Sequence, residues 1–290
     1  MCGRYAASSN PDDLVEEFEV EATDGPGPGE APAAAQPDWN VAPTKPALVV
    51  LQRRPRASSD TAGSDGEAPA PPPEAVRWLR LLRWGLVPSW AKDPSVGARM
   101  INARSEGVLE KGSFRRAAAA RRCLVPADGW YEWQVLPPVA PASGRGKPKP
   151  VKRPHFITAT PEASGAPGVA FAGLYEFWRD ASVPDPHDAR AWLSTFTILT
   201  TAAAPELAHI HDRMPLVLPR ERWQAWLDPD VGDPAAVAPL LTPLPAGSFT
   251  AYPVSTEVNS VANNGPQLLE RQPEIDVATG EVLERPDALF

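Results

Sequence analysis

The stretch Arg122–Trp133, which reads RCLVPADGWYEW, holds two apolar runs of strand length, Arg122–Val125 and Gly129–Trp133. Similar runs on both sides predict further strands at Gly3–Ala6, Ala47–Leu51, Arg77–Trp84, His155–Ala159, Val169–Tyr175, Thr195–Thr201, Leu216–Leu218 and Phe249–Val254. Short helices are predicted from Pro11, after the capping residue Asn10, and over Phe114–Ala120, Pro205–His209, Glu221–Leu227 and Pro234–Leu241. This pattern predicts the α+β class, as a single compact domain around a curved, barrel-like, mostly antiparallel sheet with short peripheral helices.

The composition favours a chain with a large core and no membrane segment. Hydrophobic residues make up 43% of the 290 residues, yet no apolar run approaches the about 18 residues of a membrane helix. The N-terminus also lacks a signal sequence, so we expect a cytoplasmic protein. Two cysteines, Cys2 and Cys123, cannot form a disulfide framework, which fits a reducing compartment. No glycine-rich phosphate loop follows a strand, and we expect no cofactor and no metal.

The net charge of −8 argues at first against a nucleic-acid partner, because phosphates are neutralised by Lys and Arg. The acidity is unevenly placed, however. Residues 20–38 contain four acids and no base, and residues 268–290 contain six acids and two bases. These two segments account for the whole net charge, so the composition permits a local basic groove elsewhere.

Proline is enriched, at 37 of 290 residues, or about 13% against a usual ~5%. The proline-rich segments near 21–38, 55–73 and 137–154 bury too little apolar surface to offset the entropy of ordering, and we predict surface loops or disordered insertions there. The predicted domain is residues 1–269, and residues 270–290 form an acidic tail.

Cys2 is the most informative single position. Removal of Met1 would leave an α-amine and a thiol on adjacent carbons. About a third of such amines are neutral near pH 7.4, against about 0.1% of lysines, and only the neutral amine attacks an aldehyde to form a Schiff base. The thiol can then close a five-membered thiazolidine, which holds the aldehyde instead of driving β-elimination. A cysteine at this position is also compatible with chance.

Glu132 lies in the aromatic run at the end of the opening stretch. Strand alternation places Trp130 and Glu132 on one face, with Tyr131 and Trp133 on the other. A carboxyl group among aromatic side chains is expected to have a raised pKa, which suits proton transfer during imine formation. The alternative is a partly exposed strand with a surface glutamate.

Two of the four histidines, His209 and His211, fall within HIHDRMP, residues 209–215, just after a predicted strand. Loops at such places commonly present catalytic groups, and an imidazole that titrates near neutrality could protonate a sugar oxygen. The alternatives are a metal site, for which no third ligand is evident, and a structural histidine.

The segment INARSE, residues 101–106, places Asn102 and Arg104 on one face if it is extended. Arg104 offers a fork of donors to a phosphate, and the Asn102 amide could orient the terminal amine or a sugar hydroxyl. The alternative is a structural ion pair between Arg104 and Glu106. Further arginines that could contact phosphate are Arg4, Arg83, Arg99, Arg115, Arg116, Arg121 and Arg122.

Together these segments resemble the SRAP family, whose members process abasic sites in single-stranded DNA. The resemblance is carried in order by MCGRY (1–5), NVAP (40–43), WGLVP (84–88) with Trp90, INARSE (101–106), CLVPADGWYEW (123–133) and HDRMP (211–215). A weaker match runs from PVS (253–255) to NNGP (263–266). The resemblance spans residues 1 to about 269, and the ordered combination is highly specific although each motif alone is not.

The resemblance implies a role for each site residue. Cys2 would be the crosslinking nucleophile and Asn102 would position it. Glu132 would assist imine chemistry, and His211 would promote sugar ring opening and reversal of the link. The implied DNA-binding residues are Gly3, Arg4, Asn40, Pro43, Trp90 and Arg104. The same site would remove Met1 as a peptidase, and the partner would be single-stranded DNA containing abasic sites, with the bound protein on the nucleoid.

Two other functions fit part of this pattern. An N-terminal-nucleophile cysteine amidase or peptidase would use the Cys2 thiol with its amine as base, but would not need phosphate-binding arginines. A non-covalent single-stranded DNA binding module would need only aromatic stacking and arginine contacts. Covalent capture of an abasic site uses the amine, the thiol, the carboxylate and the arginines together, and is the function that the sequence predicts.

Overall fold

The computed structural model describes residues 2–23, 36–55, 73–139 and 149–274. Within them the chain forms thirteen β-strands and five α-helices, which confirms the predicted α+β class. The strands are β1 (Tyr5–Ala7), β2 (Ala22–Thr23), β3 (Asp38–Val41), β4 (Pro46–Arg53), β5 (Val76–Trp84), β6 (Asn102–Arg104), β7 (Arg122–Ala127), β8 (Gly129–Val139), β9 (Lys149–Ala159), β10 (Val169–Arg179), β11 (Trp192–Ala202), β12 (Arg213–Pro215) and β13 (Phe249–Pro253). The helices are α1 (Pro11–Glu17), α2 (Arg115–Ala120), α3 (Pro161–Ser164), α4 (Trp223–Leu227) and α5 (Pro234–Val237).

Five of these strands close a barrel. Antiparallel pairs join β5 to β4, β4 to β7, β7 to β10 and β10 to β11. A parallel pair between β11 and β5 completes the ring. The short strand β6 adds in parallel to β11 on the site side, and β2 and β12 extend the sheet at its edges. The predicted barrel-like and mostly antiparallel sheet is therefore confirmed.

A second sheet, entirely antiparallel, has the strand order β13-β9-β8-β1-β3. In it β1 lies between β8 and β3, with Tyr5 directly opposite Trp130. Alternation along β8 sends Trp130 into the main core and Tyr131 to the opposite face, as predicted. The start of the chain is thus held against the aromatic segment that contains Glu132.

The main core joins the barrel to the second sheet. It combines Trp84 and Phe171 from inside the barrel with Tyr5 and Trp130 from the second sheet. The Tyr5 ring meets the edges of Trp84 and Phe171 at centroid distances of 5.1 and 5.9 Å. Cys123 is fully buried in the same core, as its apolar strand predicts.

Helices cover the outer face of the barrel. Helix α1 begins at Pro11, and the Asn10 side chain accepts the N–H of Asp12 at 3.0 Å, which confirms the predicted cap. Phe18, just after α1, stacks on Trp223 of α4 with ring centroids 4.3 Å apart. The barrel wall is therefore apolar on both faces.

The predicted strand at Leu216–Leu218 is shorter than expected, because only Val217 forms a bridge, antiparallel to Phe171 of β10. Leu216 donates its N–H to the carbonyl of Leu199 in β11 at 2.8 Å, and Leu218 donates to Ala170 in β10 at 2.9 Å. The strand in this region is β12, which ends at Pro215.

Three predicted helices are shorter than expected. Pro205–His209 is a single 3₁₀ turn over Pro205–Leu207. The segment over residues 221–227 divides into a 3₁₀ turn and α4, and that over 234–241 into α5 and a second 3₁₀ turn. In the last case Pro239 lacks the N–H that a continuing α-helix would need.

The proline-rich segment 137–154 is only partly a loop, which corrects the prediction made for it. Strands β8 and β9 extend into it from both sides, with Leu136 opposite Val151 and Val139 opposite Lys149. The register shifts between Leu136 and Val139, where two prolines interrupt the ladder. The predictions for residues 24–35, 56–72, 140–148 and 275–290 lie outside the described residues.

Across the described parts of the chain, no helix combines the length and the apolar character needed to cross a membrane.

Gly85, just after β5, gives a test of the fold. It has φ +120°, and a Cβ there would lie 2.6 Å from the carbonyl oxygen of Gly97. We expect Gly85→Ala to lower the free energy of unfolding by at least about 2 kcal/mol, because both the backbone angle and the contact are unfavourable. Urea unfolding followed by tryptophan fluorescence measures this.

The matched control is Gly112→Ala, since no heavy atom of the described residues lies within 4 Å of the added Cβ. That variant should stay within about 0.5 kcal/mol of wild type. Equal losses in the two variants would contradict a specific constraint at Gly85.

Candidate functional site

Cys2 lies inside the molecule, just before β1. Its side chain is fully buried in the main core, and Sγ donates to the carbonyl oxygen of Arg4 over 3.8 Å. Burial raises the pKa of the thiol well above its ordinary value, and the nearby Glu132 carboxylate raises it further. The thiol is therefore protonated at neutral pH and is not a free thiolate.

Asn102 binds the backbone of the same residue. Strand β6 runs parallel to β11, with Asn102 opposite Ile198, and this register brings the amide to the start of the chain. Asn102 Nδ2 donates to the carbonyl oxygen of Cys2 at 2.7 Å. Its Oδ1 is buried and has no hydrogen-bond partner among the described residues. The amide thus fixes Cys2 with its donor and leaves one acceptor available.

Glu132 is buried in β8, with 4% of its surface exposed, so the alternative of a surface glutamate is wrong. Burial raises the pKa of its carboxyl group to about 7, while the positive amino terminus lowers it and Asp212 raises it. A carboxyl group that titrates near neutrality can both give and accept a proton at physiological pH.

His211 approaches from the loop between β11 and β12. Its Nδ1 accepts the N–H of Arg213 at 3.0 Å, so the neutral ring carries its proton on Nε2. Asp212 Oδ1 lies 2.9 Å from the same nitrogen, and can accept from it only once the ring is protonated. Burial, and next the positive amino terminus, lower the pKa of His211.

The Glu132 carboxylate acts electrostatically on the Cys2 thiol, and Asp212, which contacts His211, acts on Glu132. Cys2, Glu132 and His211 therefore lie close to one another. With Asn102 hydrogen-bonded to Cys2, the structure brings together all four of the predicted catalytic residues.

Arg213 was missed by the sequence analysis, although it lies within the quoted HDRMP motif. Its guanidinium donates through Nη1 and Nη2 to the two carboxylate oxygens of Glu106, at 2.5 and 2.9 Å, and also to the carbonyl of Thr200 at 2.6 Å. These hydrogen bonds hold the segment that contains His211 against Glu106, the last residue of INARSE (101–106). Glu106 is therefore paired with Arg213, and Arg104 is exposed.

His155 was also missed. It lies in β9 directly opposite Glu132, is 3% exposed, and has Nδ1 3.2 Å from the carbonyl oxygen of Arg153. Burial lowers the pKa of its imidazole. The face that it shares with Glu132 follows from the β8–β9 register, which the proline-rich segment between the strands conceals in the sequence. His209, by contrast, is exposed.

Arg4 and Asn40, two of the predicted DNA-binding residues, hold a loop of the protein. Arg4 Nη1 donates to Asn40 Oδ1 at 2.8 Å and to the carbonyl of Val258 at 2.7 Å. Asn40 Nδ2 donates to the carbonyls of Ser260 and Asn263, at 2.9 and 3.1 Å. Asn40 has no exposed surface, so its side chain cannot contact a ligand directly.

The other predicted DNA-binding residues lie nearer the surface. Trp90 is 67% exposed and Arg104 is exposed, while Gly3 and Pro43 are half-buried. Among the residues that the structure describes, no group of three or more His, Cys, Asp or Glu side chains is arranged to hold a metal ion.

Arg122 was predicted among the further arginines that could contact phosphate, and that prediction is wrong. Arg122 is 3% exposed, and its guanidinium donates to the backbone carbonyls of Trp226 and Ala118 at 2.6 and 2.8 Å. Arg121 beside it pairs with Glu176 at 2.8 Å. A buried guanidinium saturated by carbonyls stabilises the packing of α2 and α4 on the barrel and cannot bind a phosphate.

Comparison with known proteins identifies the family. The profile of the family described as SOS response associated peptidase (SRAP) matches residues 1–261. The chain belongs to the SRAP family.

Two relatives of this SRAP chain are described as abasic site processing proteins. Abasic site processing protein YoqW of Bacillus subtilis (strain 168) is 36% identical over 270 residues, which cover 93% of this chain and 99% of YoqW. Abasic site processing protein HMCES of Gallus gallus is 32% identical over 253 residues, which cover 81% of this chain and 66% of HMCES.

The SRAP fold is also found in a crystal structure of a protein from Bacteroides thetaiotaomicron. That structure aligns with a TM-score of 0.67 and 22% identity, over 93% of this chain and 100% of the other. At this identity the likeness concerns the fold alone.

The raised pKa of Glu132 makes the stability of this SRAP chain depend on pH. The carboxyl group has a pKa of about 7 when folded, against an ordinary value of 4.5, so stability is lost as the pH rises from about 4.5 toward about 7. We expect Glu132→Gln to stabilise the fold at pH 8 by up to about 3 kcal/mol, and by less at pH 5. Denaturant unfolding at both pH values measures the difference.

The control is Glu110→Gln, because Glu110 is exposed. This variant should show no gain that depends on pH. A Glu132→Gln protein less stable than wild type at pH 8 would count against the raised pKa.

Proposed function

We propose that this chain processes abasic sites in single-stranded DNA by capturing them covalently, through a thiazolidine between Cys2 and the sugar aldehyde. The observation that carries the proposal is the hydrogen bond from Asn102 to the carbonyl of Cys2, in a site whose carboxyl group has a pKa of about 7. Membership of the SRAP family, and relatives described as abasic site processing proteins, support the choice of substrate.

The reaction needs a free amine on Cys2. Hydrolysis of the Met1–Cys2 peptide bond consumes one water and releases methionine, and we assign this step to the same site. The family description as a peptidase supports the assignment. The Asn102 Oδ1, which has no hydrogen-bond partner among the described residues, then accepts an N–H of the new amine and orients its lone pair.

The amine reacts first. Its neutral form attacks the aldehyde carbon of the open sugar and gives a carbinolamine, which loses water to leave an iminium ion. Loss of water requires a proton, and Glu132 supplies it because its raised pKa keeps a large fraction protonated at neutral pH. The amine takes precedence over the thiol because burial keeps Cys2 Sγ protonated.

The thiol reacts second. Sγ forms a bond to the iminium carbon, the C=N electron pair returns to nitrogen, and the thiol proton passes to the Glu132 carboxylate. The sum of the two steps is amine plus aldehyde giving thiazolidine plus water. Because the product contains no iminium, β-elimination is not driven and the DNA strand stays intact.

His211 acts on the sugar. An abasic sugar is mostly a closed hemiacetal, and its opening moves one proton from the anomeric hydroxyl to the ring oxygen. The protonated imidazole of His211 donates its Nε2–H to the ring oxygen while the Glu132 carboxylate takes the proton of the hydroxyl, so the aldehyde forms with no net gain or loss of protons. By microscopic reversibility the same group assists release of the link. Arg104, exposed at the end of β6, is suited to a flanking phosphate.

The test of covalent capture is incubation with a single-stranded oligonucleotide that contains one abasic site. Wild type should give an adduct that survives denaturation, and intact mass should show that Met1 is absent. Cys2→Ala should give no such adduct, although borohydride should trap its transient Schiff base. Cys123→Ala, which removes the other buried thiol, is the matched control and should crosslink normally.

Three results would overturn the proposal. The first is no adduct with wild type from which Met1 has been removed, and the second is a normal adduct with Cys2→Ala. Equal retention of intact and abasic strands, both lost at high salt, would favour a non-covalent binding module instead.

The role of His211 predicts slow release. After the adduct is formed on a single strand and the complementary strand is annealed, His211→Ala should retain the link about a hundredfold longer than wild type, the lower end of what loss of an acid–base group costs. Gel analysis of the remaining adduct over time measures this. His209→Ala is the control, since His209 is exposed two residues away; rapid release by His211→Ala would remove this residue from the mechanism.

A further inference from the structure

Trp90 is an exposed tryptophan on the loop that connects β5 to β6, and this loop ends next to the site. Trp90 is 67% exposed, the largest exposure among the large hydrophobic side chains of the described residues. The ends of its loop meet where the N–H of Leu86 donates to the carbonyl of Met100 at 3.1 Å. Met100 lies two residues before Asn102, so the loop leads directly into the strand whose Asn102 hydrogen-bonds Cys2.

Two barrel side chains hold this loop on either side of Trp90. The indole Nε1 of Trp178, in β10, donates to the carbonyl of Ala91 at 2.6 Å. The Oγ1 of Thr195, in β11, accepts the N–H of Val87 at 2.9 Å. Trp178 is 8% exposed and Thr195 is fully buried, and their strands are paired. The backbone next to Trp90 is therefore tied to the rigid barrel wall.

A close backbone contact fixes the base of the same loop. A Cβ built on Gly85 would lie 2.6 Å from the carbonyl oxygen of Gly97, and one built on Gly97 would lie 2.5 Å from that of Gly85. Between them, the Asp93 side chain accepts the N–H of Ser95 at 2.8 Å. A loop constrained at so many points loses little conformational entropy when a ligand binds its exposed ring.

We propose that Trp178 and Thr195 are positioning residues that hold Trp90 as a stacking platform for a nucleobase of the single strand next to the abasic site. The proposal rests on the proposed function for its substrate. An exposed indole offers a flat face that any base can stack on, and backbone hydrogen bonds from the barrel keep that face in one place. Neither Trp178 nor Thr195 needs to touch the DNA.

The test measures binding and reaction separately. Binding is the Kd for a single strand carrying a tetrahydrofuran abasic analogue, which has no aldehyde and cannot crosslink. Reaction is the rate of adduct formation at saturating natural abasic strand. Trp90→Ala should weaken Kd by about tenfold, within the range of one base–aromatic stack. Trp178→Phe keeps an aromatic ring but loses the donor, and should weaken Kd by about threefold.

Matched controls come from the same strands. Trp192→Phe also removes an indole donor to a backbone carbonyl, that of Pro186, but one that does not support the Trp90 loop. Thr195→Val removes the acceptor of Val87, whereas Thr197→Val removes a buried hydroxyl that has no partner among the described residues. Thr195→Val should weaken Kd as Trp178→Phe does, and both controls should bind like wild type.

A double-mutant cycle separates positioning from a general structural effect. In the Trp90→Ala background, Trp178→Phe should add no further loss in Kd, because its effect passes through the Trp90 ring. Losses that multiply in the double variant would overturn the proposal, as would unchanged binding by Trp90→Ala. A Trp178→Phe variant that lowers the rate of adduct formation at saturating DNA but leaves Kd unchanged would also overturn the proposal.

The two proposals fail separately. If wild type binds the analogue but forms no adduct with the natural abasic strand, covalent capture is wrong while the Kd values still decide the role of Trp178. If the adduct forms normally but Trp90→Ala binds as tightly as wild type, the stacking platform is wrong while covalent capture stands.

Discussion

The hydrogen bond from Asn102 Nδ2 to the carbonyl of Cys2 links the start of the chain to the barrel. Asn102 gets its position from β6, whose register on β11 is set next to the parallel seam that closes the ring. On the other side, β1 is held by its pairing with β8 and β3. A chain terminus normally frays, and here two separate sheets are needed to keep one residue in place.

One physical cause, removal from water, explains the protonation states in the site. Burial raises the pKa of the Cys2 thiol and of the Glu132 carboxyl group, and it lowers the pKa of the His211 imidazole. Each shift favours the uncharged form. Condensation of an amine with an aldehyde passes protons without changing the net charge, so an uncharged and partly dry site suits every step. Burial is therefore the largest cause of the pKa shift in all three groups, although their chemistry differs.

Local features of the sequence predicted much of this structure. Alternation in Gly129–Trp133 correctly placed Trp130 and Tyr131 on opposite faces of the strand, and the aromatic setting anticipated the raised pKa of Glu132. These results depend on residues next to each other in the chain, and the α+β class follows from the same kind of pattern, although the short strands β2, β3, β6 and β12 were not predicted.

Features that depend on distant partners were not predictable. The buried role of Arg122 requires carbonyls about a hundred residues later. The fork from Arg213 to Glu106 and the pairing of Glu132 with His155 both depend on strand register. The Asn40 amide likewise donates its hydrogen bonds to carbonyls of residues 258–263, far along the chain. Sequence motifs identified which residues matter, but only topology shows which of them touch.

The placement of Cys2 also has a consequence for biosynthesis. The reactive end leaves the ribosome first, whereas its partners arrive with β6, with β8 and lastly with the loop before Arg213. Until then Cys2 is still preceded by Met1 and lacks its carboxyl group, its imidazole and its dry surroundings. If the chain acts as proposed, it becomes chemically competent only after these elements have folded, and a copy truncated before Arg213 lacks the groups that would form a lasting link to DNA.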